Sequence, residues 1–272
     1  MRWRQAHDGR VTTSINDLQV AFDESGDGAP VVLVHGLAES RQSWANQQRE
    51  LSAFHTYAYD LRGHGETSLG RPEASLEQLG RDLIGFLEQV TGPASVVGFS
   101  LGGTIALWAA AERPDLMQRV VVLGTSSVVG RAAVDFYAGR IELAADTASD
   151  EFREALRSDT AAGLAVAHDQ VDEVTASRLA AIGDGHGYVN AARAMAALNQ
   201  SPLTPKLAEV AVHVDVVGAA SDSFCPPKAS HIILDALPDA EYHEIDAAGH
   251  LMSLDNPAAV TDVLRRTLQP HT

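Results

Sequence analysis

The sequence predicts an α/β fold, with a mostly parallel sheet covered by helices on both faces and a helical insertion. Three observations carry that expectation. Short apolar runs such as "VVLV" and "SVVG" are continuous where a half-exposed strand would alternate, so they suit strands buried on both faces. These runs take turns with stretches of helical periodicity, which implies right-handed crossovers between parallel strands. Between about Ser126 and Pro205 the rhythm stops, no strand pattern occurs, and the alternation then resumes.

In order along the chain, "RVTTS" and "LQVAFDES" alternate around Ile15-Asn16-Asp17 and read as a β-hairpin or a pair of edge strands. "PVVLVHG", bounded by Pro30 and Gly36, reads as a buried strand. "QSWANQQRELSAF" is expected to be helical, and "TYAYD" a strand ending at Asp60. Ser75, with Gln78 three residues on, makes a capping box. It opens "SLEQLGRDLIGFLEQV", where Leu76, Leu79, Leu83, Phe86, Leu87 and Val90 keep one apolar face. "ASVVG" is a strand, "LGGTIALWAAAERP" a helix stopped by Pro114, and "RVVVLG" a further strand. The next stretch is rich in alanine and carries helical charge patterning in "DEFREALRS" and "YVNAARAMAALNQ"; it is too long for an ordinary loop. After it come the strand "VHVDVVG", the helix "KASHIILDAL", the strand "AEYHEID" and a closing helix, "NPAAVTDVLRRTLQ", with Pro257 in its first turn. The expected organisation is a core of residues 1–125 and 206–272 and a helical cap of residues 126–205.

Composition narrows the function classes. The chain has 272 residues, 36 acidic and 20 basic, for a formal net charge of −16. Such acidity repels nucleic acid and anionic membrane surfaces, so neither is expected as a partner. Cys225 is the single cysteine, which forbids an internal disulfide and suits a reducing compartment. The opening "MRWRQAHDGR" lacks the apolar segment of a signal peptide, and nowhere do about 18 apolar residues run together. A cytoplasmic protein is expected. Its oligomeric state, monomer or homo-oligomer, is not written in these features.

The chemistry gathers at "SVVGFSLGGT". Gly98-Phe99-Ser100-Leu101-Gly102 is a G-x-S-x-G pentapeptide between an apolar strand and a helix, where a nucleophile elbow belongs. Small residues packing a plain strand-to-helix turn would leave the same pattern. In the functional reading, glycines clear room around a sharp turn, Ser100 Oγ stands free at a helix N-terminus, and the Leu101 N–H faces a developing oxyanion. A serine needs a base. His250 in "IDAAGH" sits on a loop at the carboxyl edge of a strand, where doubly wound sheets build their sites. His243 falls inside a strand, His231 inside a helix, and His186 in a loop of the insertion. The base needs an orienting carboxylate. Asp222, four residues past Gly218 and ahead of Pro226-Pro227, is the candidate; Asp215 falls inside a strand. The order Ser100, Asp222, His250 is that of one particular architecture. A second oxyanion donor is expected from the loop after "VVLV", where Gly36 would permit an unusual backbone and aim the Leu37 N–H inward. His35 reads as an organiser of that loop. Trp44, Phe99 and Met252 flank the motifs, either lining an apolar acyl pocket or lying in the core.

With "VVLVHG", "YDLRGHGET", "VVGFSLGG", the Gly218–Pro226 run and "AAGH", the chain resembles the α/β-hydrolase superfamily along nearly its whole length. The resemblance implies an eight-stranded, mostly parallel sheet with the cap after the sixth strand. It implies a Ser100–His250–Asp222 triad, with Leu37 and Leu101 amides as oxyanion hole. In "DLRGHGET", Thr67 stands where the family usually has serine, and Asp60, Arg62 and Gly65 are read as loop architecture. The acid loop is one residue longer than the commonest spacing. Serine at the elbow separates the chain from the haloalkane dehalogenase and epoxide hydrolase branches, which use aspartate there. The chain looks most like small bacterial esterases, enol-lactonases and cofactor-free haloperoxidases. The expected activity is hydrolysis of a small-molecule carboxylic ester or lactone through an acyl-enzyme, without metal or organic cofactor. The alternatives are cleavage of a carbon–carbon bond, thioester or nitrile adduct by the same residues, and a ligand-binding relative without turnover.

Overall fold

A sheet of continuously apolar strands must be covered twice, and the alternation of side chains along each strand divides the core accordingly. The computed structural model describes residues 10–269, so the signal-peptide expectation for the opening ten residues falls, but for Arg10, outside it. The strands are β1 (Arg10–Ile15), β2 (Leu18–Ser25), β3 (Ala29–Val34), β4 (Phe54–Tyr59), β5 (Ala94–Phe99), β6 (Met117–Leu123), β7 (Val214–Ala219) and β8 (Ala240–Ile245). They form one eight-stranded sheet in the order β1-β2-β4-β3-β5-β6-β7-β8. The first two strands run antiparallel to their neighbours and the rest are parallel.

The helices are α1 (Ala45–Glu50), α2 (Leu76–Phe86), α3 (Leu101–Glu112), α4 (Arg131–Leu143), α5 (Asp150–Gly163), α6 (Val171–Ile182), α7 (His186–Ala197), α8 (Pro227–Ala236), α9 (Met252–Asp255) and α10 (Pro257–Thr267). Val32, Val34, Val96, Val120, Val122 and Val214 point to one face and pack with α2, α3 and α8. Their neighbours Val31, Leu33, Val97, Val121 and Val217 point to the other and pack with Trp44, Leu51, Val260 and Leu264. A residue such as Leu83 or Leu264, buried completely, contributes roughly 1.5–3 kcal/mol.

Local rules hold with two refinements. "QSWANQQRE" forms a 3₁₀ turn over Arg41–Trp44 before α1. Ser75 Oγ accepts the Gln78 N–H, as a capping box requires. The Gln78 amide, however, turns outward to the Glu73 N–H and the Arg71 carbonyl, so only half the box forms. Helices α4 to α7 lie between β6 and β7, and among the described residues no strand interrupts them. Phe152, Leu156, Ile182 and Tyr188 from these helices make a small third core with Ala38, from the loop after β3. Among the described residues no helix is long and apolar enough to cross a membrane.

Candidate active site

Ser100 joins β5 to α3 with φ 51° and ψ −117°, a strained conformation for a residue with a side chain. The glycines make the turn possible. A Cβ at Gly98 would lie 2.4 Å from the Gly102 carbonyl oxygen, and one at Gly102 would lie 2.2 Å from the Val34 carbonyl oxygen. The turn is pinned where the Ser100 N–H donates to the Leu123 carbonyl at 2.8 Å and the Gly103 and Thr104 amides donate to the Ser100 carbonyl.

The loops after β7 and β8 bring two further groups to that spot. Asp222, its side chain fully buried, accepts the Phe224 and Cys225 amides on Oδ1, at 2.9 and 2.8 Å. Its Oδ2 lies 2.8 Å from His250 Nδ1. His250 Nε2 lies 3.1 Å from Ser100 Oγ. A carboxylate can only accept, so Nδ1 carries the proton and Nε2 is left to accept the serine hydroxyl. The longer acid loop does not prevent the contact. Phe99 and Phe224 flank the imidazole, with ring centroids 4.9 and 5.3 Å away. Asp215 is engaged elsewhere, by His243 at 2.8 Å and Arg119 at 3.0 Å. His231 packs against Tyr242. His186 opens α7, where a loop was expected, and is exposed beside Asp184.

Among the described residues neither the Leu37 nor the Leu101 N–H finds a protein acceptor. The loop carrying Leu37 corrects one expectation. Gly36 is not in the left-handed region; that conformation falls to Ala38, at φ 63°. Gly36 is needed for space, since a Cβ there would lie 2.8 Å from the Phe99 ring. His35 organises the loop as expected: its Nε2 accepts the Leu61 N–H at 2.9 Å and its Nδ1 faces the Gly36 carbonyl at 2.8 Å. Burial lowers its pKa to about 4, so the ring is neutral at pH 7. The next loop is architecture too. Asp60 grips Arg41 and the Glu66 N–H, Arg62 grips Asp82 and Asp17, and Thr67 Oγ1 accepts the Ala21 N–H.

Above Ser100 and His250 lies a cavity of about 470 Å³, walled by the inserted helices through Phe136, Tyr137 and Tyr188. Phe99 lines this cavity and also a neighbouring one of about 280 Å³. Trp44 lines only the neighbour, and Met252 is wholly buried, lining neither. Cys225 borders the main cavity, but burial pushes its thiol up to about 12, so it stays protonated.

Three features were not foreseen from sequence. Glu39 and Arg178 face both cavities. Burial raises the Glu39 pKa against the pull of Arg178, while its Oε2 accepts the Gly36 N–H at 3.1 Å. Asp255 accepts the amides of Ala165, Val166, Ala167 and Gly249, each at 2.8 Å. Burial alone would raise its pKa; these donors outweigh that and hold it low.

A family model described as alpha/beta hydrolase fold matches residues 29–257. Among solved structures the chain is similar to the enol-lactonase from Burkholderia xenovorans LB400, with TM-score 0.84, 23% identity, and coverage of 95% of this chain and 99% of that one. It is similar to a thermophilic esterase from Thermogutta terrifontis, with TM-score 0.80, 26% identity, and coverage of 94% and 97%. By sequence it is similar to 3-oxoadipate enol-lactonase 2 of Acinetobacter baylyi, 22% identical over 264 residues, covering 95% of this chain and 96% of that protein.

Proposed function

This chain belongs to the alpha/beta hydrolase fold family, and on that footing we propose that it is a serine hydrolase cleaving a carboxylic ester or lactone through an acyl-enzyme. The observation that carries the reading is the row Ser100 Oγ–His250 Nε2–Asp222, read as a catalytic triad, beside two unengaged amides. Esterase and lactonase names among the similar proteins support the same chemistry.

Ser100 Oγ bonds to the substrate carbonyl carbon as its proton passes to His250 Nε2. The carbonyl electron pair becomes an oxyanion held by the Leu37 and Leu101 N–H groups. Asp222 keeps the imidazole oriented and stabilises its charged form. Collapse restores the carbonyl and breaks the bond to the leaving oxygen, which takes the proton from His250. Water repeats the sequence: its proton goes to His250, its oxygen to the acyl carbon, and Ser100 leaves with the proton restored. An ester and water give an acid and an alcohol; a lactone gives one hydroxy acid. No step calls for a metal or an organic cofactor.

The test is labelling by a fluorophosphonate probe alongside hydrolysis of p-nitrophenyl esters and lactones. Wild type is expected to label and turn over, and Ser100→Ala to do neither. A wild type that takes no label and cleaves nothing sinks the reading and favours a ligand-binding relative without turnover. A labelled protein that cleaves only thioesters or vinylogous diketones moves the activity to those bonds.

A further inference from the structure

We infer that Arg178 is a substrate anchor, and that the ester or lactone taken by this site carries a second, carboxylate group that the Arg178 guanidinium binds. The inference rests on the serine hydrolase reading and names its substrate class.

The ground for it is how this chain treats its arginines. Of those wholly or partly buried, Arg41 holds Asp60, Arg62 holds Asp82, Arg113 holds Glu88, Arg119 holds Asp215 and Arg140 holds Asp159. Arg178 is the exception. Among the described residues no carboxylate lies within 4 Å of it, and its one hydrogen bond runs from Nη1 to Thr160 Oγ1, at 2.9 Å. Its Nε is shut off from solvent and has no partner. In a chain with 36 acidic side chains, a half-buried guanidinium with no carboxylate in contact, Glu39 acting on it only from a distance, is conspicuous, because such charges are normally paired directly.

Its position supplies the purpose. Arg178 projects from α6 onto the wall shared by the cavity that holds Ser100 and His250 and the cavity beside it. The acid that faces the same two cavities, Glu39, is committed to the Gly36 N–H, and its burial favours the protonated form. The nearby Asp159 is taken by both Nε and Nη2 of Arg140, at 2.7 Å each. A carboxylate entering the chamber therefore meets one guanidinium with donors to spare, in the planar arrangement that suits such a group. Phe136, Tyr137 and Tyr188 line the same cavity, and apolar surface beside an ion pair lowers the local dielectric and strengthens it.

The experiment compares monoethyl glutarate with ethyl valerate, an equally long neutral acyl chain, by ethanol release. Wild type is expected to favour the glutarate ester in kcat/KM. Arg178→Met should lower the glutarate-to-valerate ratio by about ten- to a hundredfold, mostly through KM, with Arg178→Lys intermediate. Glu39→Gln should leave the ratio unchanged or raise it. If Arg178→Met leaves the ratio where it was, or Glu39→Gln lowers it as far as Arg178→Met does, the anchor is refuted and Arg178 serves Glu39 or the fold. A second arm needs no turnover: Ser100→Ala is titrated with each ester by calorimetry, with and without Arg178→Met. Tighter binding of the glutarate ester, lost with Arg178, upholds the anchor even if wild type hydrolyses nothing, in which case the hydrolase reading alone fails. Equal binding of the two esters overturns the anchor whatever the activity.

Discussion

Ser100 sits in backbone that a residue with a side chain occupies only under constraint, at φ 51°. Such strain costs on the order of 1–3 kcal/mol and persists where surrounding contacts hold it. Here those contacts are the Leu123 carbonyl on one side and the first turn of α3 on the other. The same economy governs Asp222. Both of its oxygens are engaged, so replacement by asparagine keeps the shape but puts an amide where a pure acceptor is needed. Asp222→Asn is expected to retain the fold by circular dichroism and to lose kcat by about 10³–10⁴-fold. A loss under tenfold, in steady-state kinetics on the best ester, would mean that His250 is oriented by something else. Ser100, His250 and Asp222 were legible because each follows a strand at a turn whose residue types are distinctive. Arg178 was not, since "ASRLAA" looks like any exposed helix and its lack of a contacting carboxylate exists only in three dimensions. Gly36 was identified for the wrong reason, because sequence records a missing Cβ without saying whether torsion or space demanded it.

At the scale of elements, the parallel strands were readable mainly from their apolar runs, the first two from alternation, and the helical character of the insertion from its alanine content and from the charge patterning of the segments that became α5 and α7. What sequence hid was the joint between those helices and the loop of His250. Asp255 precedes Asn256-Pro257 and resembles an ordinary residue ahead of a helix cap. Its amide donors lie up to 90 residues away, at the end of α5 and beside His250. The Leu251 N–H completes the joint by donating to the Gly163 carbonyl at 2.8 Å. Asp255→Ala leaves those amides without their acceptor and is expected to cost about 2 kcal/mol or more in urea unfolding. It should also lower kcat by about tenfold, because the imidazole then loses a fixed seat. Asp255→Asn should recover part of both. Stability falling with kcat untouched would show that the joint does not position His250.

For the molecule as a whole, stability is tied to acidity through two buried imidazoles. His35 and His64 are held neutral chiefly by burial, each with its pKa lowered from 6.5 to about 4. Between those values the unfolded chain takes up protons that the folded chain refuses. This contribution is therefore complete above pH 6.5 and fades as pH falls toward 4. At pH 5 the loss is roughly 2 kcal/mol for each ring. Glu39, raised by burial, acts in the opposite sense and offsets part of it. Urea unfolding at pH 7 and pH 5 should show the drop in wild type and a smaller one in His64→Leu; equal drops would remove these rings as its cause. The joint at Asp255 also constrains how a ligand would travel in the proposed reaction. Swinging α5 aside as a door would drag the loop that carries His250, so the proposed mechanism requires this rim to stay shut while the acyl-enzyme forms and breaks. Helix α4 has no fully buried residue but is tied to α5 through Arg140 and Asp159, so in the proposed reaction a substrate passing on that side would have to part this pair.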